Sequence, residues 1–150
     1  DARKLEDFFR FDQILLDAPC SGSGTLYTEN GELKSKFSKE LVDNSSRLQA
    51  ELLRKALMPG DCIVLLDEHG TERRSIEFAQ WMQKKMAASP RRLVFIIGGP
   101  YGFAPSIHQL AAEEISLSQM TLSHQMIRLL FCEQIYRAMT ILRGEPYHHE

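Results

Sequence analysis

Two continuous apolar runs constrain the fold of this chain more than any other feature of its sequence. The segments CIVLLD (62–67) and RLVFII (92–97) carry apolar side chains at consecutive positions, without the alternation of a half-buried strand. Strands of this kind are typical of a parallel sheet that is covered on both faces. A helical pattern at 75–87 separates them, and two parallel strands need such a crossover. We therefore expect an α/β fold with a mainly parallel sheet covered by helices.

The other segments add elements to this sheet or connect them. We predict four strands, at Phe11–Leu16, Cys62–Asp67, Arg92–Ile97 and Ile115–Leu117, the first of them buried and the last one short. A loop at Cys20–Gly31 follows the first strand. We predict four helices, one that Ser38 caps and that runs to about Leu57, one that Ser75 caps and that runs to about Ala87, one from Pro105 or Ser106 to Glu114, and a last one that Ser123 caps and that runs to about Leu142. In the helix after Ser75, the spacing of Phe78, Met82 and Met86 predicts that these side chains face inward.

The last predicted helix is apolar on nearly every face. Its apolar positions are Met126, Ile127, Leu129, Leu130, Phe131, Ile135, Tyr136, Ala138, Met139 and Leu142. A helix of this kind is buried on all sides. In a domain of 150 residues such burial needs a second covering layer, and a dimer interface would supply one.

Cysteine content and charge exclude several classes of protein. The three cysteines, Cys20, Cys62 and Cys132, are far apart and outside any CxxC pair. This pattern argues against a disulfide framework and a structural zinc site, and it is typical of the reducing cytoplasm. Because the net charge is −2, RNA binding would need a local patch or a preformed surface such as a ribosome. No apolar run approaches the ~18–20 residues that span a bilayer, so we expect no membrane partner. We also expect no DNA partner.

Three segments carry residues that suit a binding or catalytic site. The loop Gly98–Gly102 (GGPYG) follows a strand, where α/β sheets bind ligands, but an ordinary strand-to-helix turn would look the same. Residues Ser116–Ser123 (SLSQMTLS) fit either a capped loop or a loop that wraps a cofactor. The tail Gly144–Glu150 (GEPYHHE) is either a frayed end or a source of acid–base groups. Adjacent His148 and His149 point in different directions, which argues against a metal site.

Taken together, three segments closely resemble the RlmH family. They are IVLLDEHG (63–70), RLVFIIGGPYGF (92–103) and ISLSQMTLSHQMIRLLFCEQIYRAMTILRGEPYHHE (115–150). Members of that family are SPOUT-class methyltransferases that methylate N3 of a pseudouridine in bacterial large-subunit ribosomal RNA. The resemblance covers about residues 58–150. It implies a SPOUT-type α/β fold with a deep C-terminal trefoil knot, a homodimer, and S-adenosylmethionine bound in the knot near the subunit interface.

The resemblance also implies roles for individual residues. The implied cofactor contacts are Leu66, Gly99, Ser118, Gln119, Met120, Thr121, Leu122 and Ser123. Arg137, Tyr147 and His148 match the substrate-positioning or catalytic residues, and no metal is implied. On this assignment either Tyr147 or His148 accepts or relays the N3 proton of the pseudouridine. Arg137 would stabilise the negative charge that develops on the base.

The first third of the chain resembles a different family. FDQILLDAPCSGSGTL (11–26) and SKELVDNSSRLQAELLRKAL (38–57) are similar to the RsmB/NSUN group of RNA 5-methylcytosine methyltransferases, with Asp17 and Cys20 at that group's signature positions. That group's glycine-rich cofactor motif and its second cysteine motif are missing here, so we interpret Asp17 and Cys20 as relics. We therefore predict a chimera of residues 1–57 and 58–150, joined within Leu53–Gly60, in one compact domain.

Three functions compete on this evidence. The first is pseudouridine N3 methylation on ribosomes in the cytoplasm. Cytosine C5 methylation, the second, would need the missing cofactor and nucleophile motifs. The third is an inactive or cofactor-binding scaffold that has lost RNA docking together with its native N-terminus. Cofactor binding without methyl transfer would identify this scaffold.

Overall fold

The computed structural model describes residues 15–17, 26–30, 32–35, 39–88, 90–98 and 102–149. Their secondary structure, in chain order, is β1 (Leu15–Asp17), β2 (Leu26–Glu29), β3 (Glu32–Ser35), α1 (Lys39–Ala56), β4 (Asp61–Glu72), α2 (Ser75–Ala87), β5 (Arg92–Ile97), α3 (Pro105–His108), β6 (Glu113–Ser116) and α4 (His124–Arg143). Strands and helices alternate from α1 onward, as an α/β fold requires.

Four strands form a parallel sheet in the order β1-β5-β4-β6, and β2 pairs antiparallel with β3. The apolar runs 62–67 and 92–97 become the two central strands, β4 and β5, which confirms the prediction made from them. β1 pairs with β5, and β6 pairs with β4. Of the first predicted strand, residues 11–14 lie outside the described residues.

Helices cover both faces of this sheet. Because successive side chains of a strand point to opposite faces, β4 and β5 contribute to two separate cores. One core joins Val64, Leu66, Phe95 and Ile97 to residues of α2 and α4. The other joins Ile63, Leu65, Val94 and Ile96 to Leu53 of α1 and Ile107 of α3. This arrangement explains the continuous apolar runs, since residues 63–66 and 94–97 face the two cores alternately.

The central strand β4 continues past its predicted end at Asp67 to Glu72. Its pairing with β6 shifts register between Leu66 and Thr71, so that Ile115 lies opposite both residues. Gly70 lies within this shift, where a Cβ atom would come within 2.6 Å of the Ile115 backbone. Glycine at position 70 therefore permits a backbone-to-backbone approach that another residue would block.

Part of the predicted loop 20–31 is a strand. Residues 26–29 form β2, which pairs with β3 through a turn at Asn30. Asn30 has φ = 53°, in the left-handed region that asparagine tolerates. The dipeptide Asn30-Gly31 is a hairpin signal that the Gly/Ser-rich composition of the segment obscures. Cys20 and Ser38 lie outside the described residues.

The predicted helices 38–57, 75–87 and 123–142 are confirmed within about one residue, and the predicted helix after Pro105 is wrong in length. α3 ends at His108, and Glu113 and Glu114 already belong to β6. Arg74, not Ser75, is the N-cap residue of α2. Met86 was expected to face inward but is 44% exposed, because the burial of α2 ends at Met82.

Only one side of α4 is buried in this chain. Phe131, Ala138 and Thr140 are each 1% exposed, whereas Met126, Leu129 and Tyr136 are about half exposed or more. Among the described residues, no helix is both long and apolar enough to span a membrane.

Candidate functional site

The carboxyl ends of β5 and β6 lie on either side of Leu66, which is in the middle of β4. Leu66 of β4 lies opposite Ile97 of β5 on one side and Ile115 of β6 on the other. Gly98 follows Ile97, and Ser116 follows Ile115, so the segments that continue into the glycine loop and into the 118–123 loop start beside Leu66. Ligand crevices of parallel sheets form at such edges.

Leu66 contributes its backbone to this edge. Its side chain is 6% exposed and belongs to the core beneath α2 and α4. A ligand bound at the edge would therefore contact the main chain of Leu66 and not its buried side chain. Packing alone therefore requires an apolar residue at position 66, whether or not a ligand binds there.

The glycine loop is closely packed at both of its described ends, while Gly99 lies outside the described residues. A Cβ atom on Gly98 would be 2.9 Å from the ring of Phe103. Gly102 has φ = 69°, and a Cβ atom there would lie 3.5 Å from Asp67 Oδ2. The Asp67 carboxylate is held in turn by His69, whose backbone nitrogen and Nδ1 both lie 2.9 Å from Oδ1. Gly102 therefore lies beside Asp67, in the middle of β4.

The predicted cofactor residues 118–123 form one loop between β6 and α4. The Ser118 hydroxyl accepts a hydrogen bond from the Met120 backbone N–H (2.9 Å), and Ser123 Oγ accepts one from Met126 N–H (3.4 Å). The second bond caps α4, as predicted from the sequence. Met120 is 76% exposed, so the side chain at the tip of the loop points away from the core. Both serines therefore shape the loop whose backbone would face a ligand.

Ser116 carries a buried hydroxyl at the same edge. The residue is 4% exposed, and its Oγ has no hydrogen-bond partner among the described residues. A buried hydroxyl without a partner is costly, and a polar ligand would offset that cost. The sequence places Ser116 next to the predicted loop, but burial distinguishes it from the other serines, and burial cannot be read from the sequence.

A cavity of about 460 Å³ adjoins Ser116. Its lining residues are Glu72, Arg73, Arg74, Glu77, Phe78, Ile115, Ser116, Leu117, Leu130 and Gln134. Leu66 and residues 118–123 do not line it, so the cavity and the predicted cofactor residues are distinct features that meet at Ser116 and Leu117. In the described part of the chain, no group of three His, Cys, Asp or Glu side chains is placed to hold a metal ion.

The three predicted catalytic residues come together near the end of α4. Arg137 Nη1 lies 3.3 Å from His148 Nδ1, and the Arg137 guanidinium lies over the Tyr147 ring, 4.8 Å from its centroid. The Tyr147 ring also packs edge-on against Tyr136, with centroids 5.0 Å apart. The tail therefore folds back onto α4, and the frayed-end interpretation is wrong for residues 144–149.

Glu133 organises this cluster and was missed in the sequence. Its Oε1 accepts hydrogen bonds from Arg137 Nε (2.9 Å) and from the Tyr147 hydroxyl (3.3 Å), and it forms an ion pair with Arg137 Nη2. Its Oε2 accepts a bond of 2.6 Å from Gln134 Nε2, which links the cluster to the cavity wall. The hydrogen bond to Glu133 raises the pKa of Arg137, so this guanidinium stays charged. The four-residue spacing of Glu133 and Arg137 on one helix was the available signal.

These features define an α/β protein with a helix-covered parallel sheet and a candidate ligand site beside Leu66. The family model described as "Predicted SPOUT methyltransferase" matches residues 4–148. The chain therefore belongs to the SPOUT methyltransferase family and is a methyltransferase.

Curated relatives agree with this family. A protein of Bacteroides fragilis is 67% identical over 116 residues, which are 77% of this chain and 74% of the relative. A protein of Phocaeicola vulgatus is 63% identical over 116 residues, again 77% of this chain and 74% of the relative. One from Bacteroides thetaiotaomicron is 61% identical over 119 residues, 79% of this chain and 75% of the relative. Each of the three is named ribosomal RNA large subunit methyltransferase H.

The comparisons do not support the predicted chimera. The family model begins at residue 4 and includes the segment that we interpreted as part of a cytosine methyltransferase. The alignments with the relatives are also longer than the segment 58–150. A parallel strand, a Gly/Ser-rich loop and a helix occur in many α/β folds, so this local pattern does not distinguish the two families. The division of the chain at residue 57 stays a prediction.

Proposed function

We propose that this protein transfers the methyl group of S-adenosylmethionine to N3 of a pseudouridine in large-subunit ribosomal RNA. The observation that carries the proposal is the meeting of Leu66, the glycine-loop end at Gly98 and the start of the 116–123 segment at one sheet edge. The names of the relatives support the choice of ribosomal RNA as substrate. The assembled ribosome in the cytoplasm is the expected partner.

The residues at the sheet edge fit this cofactor. Leu66, Gly99 and Ser118–Ser123 would hold it through backbone groups, and the unpartnered Ser116 hydroxyl is an additional polar group for it. When bound, S-adenosylmethionine supplies an activated methyl group on a sulfonium. The protein must then orient the acceptor nitrogen and exclude water from it.

The tail cluster would handle the acceptor base. The N3–H of pseudouridine is a weakly acidic imide that must lose its proton, and Tyr147 or His148 would accept or relay that proton. Arg137 would stabilise the negative charge that develops on the base, because it is charged and already held by Glu133. Glu133 acts as a positioning residue, since it contacts Arg137 and Tyr147 at once.

We further propose that the enzyme is a homodimer. The exposed apolar residues Met126, Leu129 and Tyr136 lie on α4, where a second copy would cover them. From Ser123 to Arg137 the axis of α4 advances about 20 Å, so the cofactor loop and the tail cluster occupy different points along it. A two-fold related copy packed along α4 would bring the cluster of one chain toward the loop of the other.

The family implies a C-terminal trefoil knot, and we include it in the proposal. The support for it is the family to which the chain belongs. Such threading is outside the usual rules of chain topology.

Methyl transfer to ribosomes is the direct test. Labelled S-adenosylmethionine is incubated with the protein and with ribosomes that lack this modification. We expect label in large-subunit RNA, and we expect His148→Ala or Tyr147→Phe to reduce it while cofactor binding persists. Cofactor binding without transfer by the unaltered protein would favour the scaffold function instead. Unchanged transfer by both variants would remove Tyr147 and His148 from the chemistry.

A further inference from the structure

An imidazole–carboxylate pair lies beside the glycine loop on the face opposite the tail cluster. His108, the last residue of α3, has its Nδ1 atom 2.5 Å from Glu114 Oε1 on β6. Both side chains are about one-third exposed, 36% for His108 and 31% for Glu114. The pair therefore connects α3 to the strand that leads into the 118–123 loop.

Phe103 links His108 to the glycine loop. The two rings meet edge to face with centroids 5.8 Å apart, and Phe103 is 8% exposed in the core beneath α1 and α3. The Phe103 ring also occupies the space where a Cβ atom of Gly98 would lie. A chain of contacts therefore runs from Glu114 through His108 and Phe103 to the end of β5.

The charges around His108 favour its protonated form. Its pKa is raised, chiefly by the hydrogen bond to Glu114, against an opposing effect of burial. The Asp67 carboxylate of β4 and a backbone hydrogen bond with Phe103 raise the pKa of His108 further. Glu114 from β6 and Asp67 from β4 are the charged groups that act on His108, and α3 itself (PSIH) contributes none.

We propose that His108 is a positioning residue for the cofactor site, and that its imidazolium, paired with Glu114, holds Phe103 and the adjoining ends of the glycine loop in place. Cofactor binding is then tightest when His108 carries its proton. This inference rests on the proposed cofactor site, but it concerns a pair of residues that lies outside the predicted contacts.

The direction of the pH effect follows from linkage. A histidine whose pKa is raised in the folded protein contributes its full stabilisation below its ordinary pKa of about 6.5. That contribution is lost as the pH rises through the higher, folded value. The hydrogen bond to Glu114 then loses its charge assistance, and the contact between α3 and β6 weakens. The affinity for cofactor is therefore expected to fall on the alkaline side of pH 6.5.

The first measurement is the dissociation constant for S-adenosylmethionine, obtained by calorimetry at pH 6.0 and pH 8.5 with the full chain. We expect binding by the unaltered protein to weaken about 3–10-fold between these values, as for the loss of one charge-assisted hydrogen bond. His108→Gln should bind weakly at both pH values. His108→Lys, which keeps the positive charge, should bind about as tightly at pH 8.5 as the unaltered protein does at pH 6.0. His149→Gln, at an exposed histidine of the tail, is the control and should behave like the unaltered protein.

A second measurement does not depend on the cofactor. Hydrogen exchange of Gly102 and Phe103, expressed as protection factors, should show lower protection at pH 8.5 than at pH 6.0 and low protection in His108→Gln at both. If His108→Gln keeps the affinity, the pH dependence and the protection of the unaltered protein, the inference is wrong. If neither the unaltered protein nor any variant binds S-adenosylmethionine but protection follows His108 as expected, the proposed function fails, while the part of the inference that links His108 to the ends of the glycine loop stands.

Discussion

The backbone of Ile115 lies so close to Gly70 that a Cβ atom on Gly70 would be 2.6 Å from both the amide nitrogen and the carbonyl carbon of Ile115. Rotation of a side chain cannot relieve contacts with backbone atoms, so a larger residue would have to separate β4 from β6. The pairing of these strands places Leu66 beside the segment that leads to the 118–123 loop. The stability of the β4–β6 pairing and the geometry of the sheet beside Leu66 therefore depend on the same glycine.

Gly70→Ala is expected to destabilise the protein by at least about 1–3 kcal/mol, the usual cost of forcing extra atoms into a packed region. Urea unfolding followed by circular dichroism measures this change. Thr71→Ala, at an exposed neighbouring position, is the control and should change stability by less than about 0.5 kcal/mol. Equal unfolding midpoints for Gly70→Ala and the control would contradict this account of β4 and β6.

Asp61→Asn should lower the free energy of unfolding by about 2–3 kcal/mol at pH 7. Asp61 and Arg92 form a two-point ion pair at the start of β4 and β5, and the side chain of Asp61 is only 1% exposed. Arg92 also donates a hydrogen bond to the carbonyl of Ala56, the last residue of α1. The variant would leave the Arg92 charge without its partner. Asp43→Asn on the exposed side of α1 is the matched control.

The effect of Asp61→Asn should also depend on pH. The hydrogen bond from Arg92 lowers the pKa of Asp61 below its ordinary value. A carboxyl group of this kind contributes stability above its unfolded pKa, and that contribution disappears as the pH falls through the folded value. The difference in stability between the unaltered protein and the variant should therefore shrink below about pH 4. A difference that is constant from pH 7 to pH 2 would count against the ion pair.

Ser116→Ala should separate stability from cofactor binding. Since the buried hydroxyl has no partner among the described residues, its removal should leave stability within about 0.5 kcal/mol of the unaltered protein. If the hydroxyl bonds to the cofactor, the dissociation constant for S-adenosylmethionine should rise about 3–10-fold. Ser106→Ala on the exposed side of α3 is the control for both measurements. A large loss of stability with unchanged affinity would show that Ser116 has a structural role.

Glu133→Gln should reduce methyl transfer about 10–100-fold while the affinity for cofactor stays within about twofold, because Arg137 and Tyr147 lose the carboxylate that positions them. Single-turnover transfer and calorimetry measure the two quantities. Glu145→Gln, which removes an exposed carboxylate of the tail, should leave both unchanged. Normal transfer by Glu133→Gln would mean that Arg137 and Tyr147 act without this support.

The sequence predicts the parts of the fold whose burial is local and continuous. The runs 62–67 and 92–97 are apolar because both faces of β4 and β5 are covered. The helix cap at Ser123 follows ordinary capping chemistry. The extension of β4 through Glu72 could not be predicted, since DEHGTE is polar and becomes a strand only because β6 pairs with it. Tertiary contacts decide such segments, and no local pattern records them.

In the candidate site, too, some residues were predicted from the sequence and others depend on tertiary contacts. Leu66 and residues 118–123 were predicted through a family resemblance, and the structure adds that β6, which leads into the 118–123 loop, pairs with β4 at Leu66. Glu133 was missed, and the buried hydroxyl of Ser116 was not anticipated, because a carboxylate on a helix and a serine in a polar segment are ordinary until their surroundings are known. The comparisons do not support the resemblance of residues 11–57 to a second family, which rests on a strand–loop–helix pattern that many α/β proteins share.

The identity of the methylated nucleoside tests the central claim most directly. Ribosomes that lack the modification are incubated with the protein and S-adenosylmethionine, and the large-subunit RNA is digested to nucleosides for mass spectrometry. The account predicts one new product, 3-methylpseudouridine, whose amount falls with Glu133→Gln and with Tyr147→Phe. A different methylated nucleoside, such as 5-methylcytidine, or no methylated product from a protein that binds the cofactor, would contradict it.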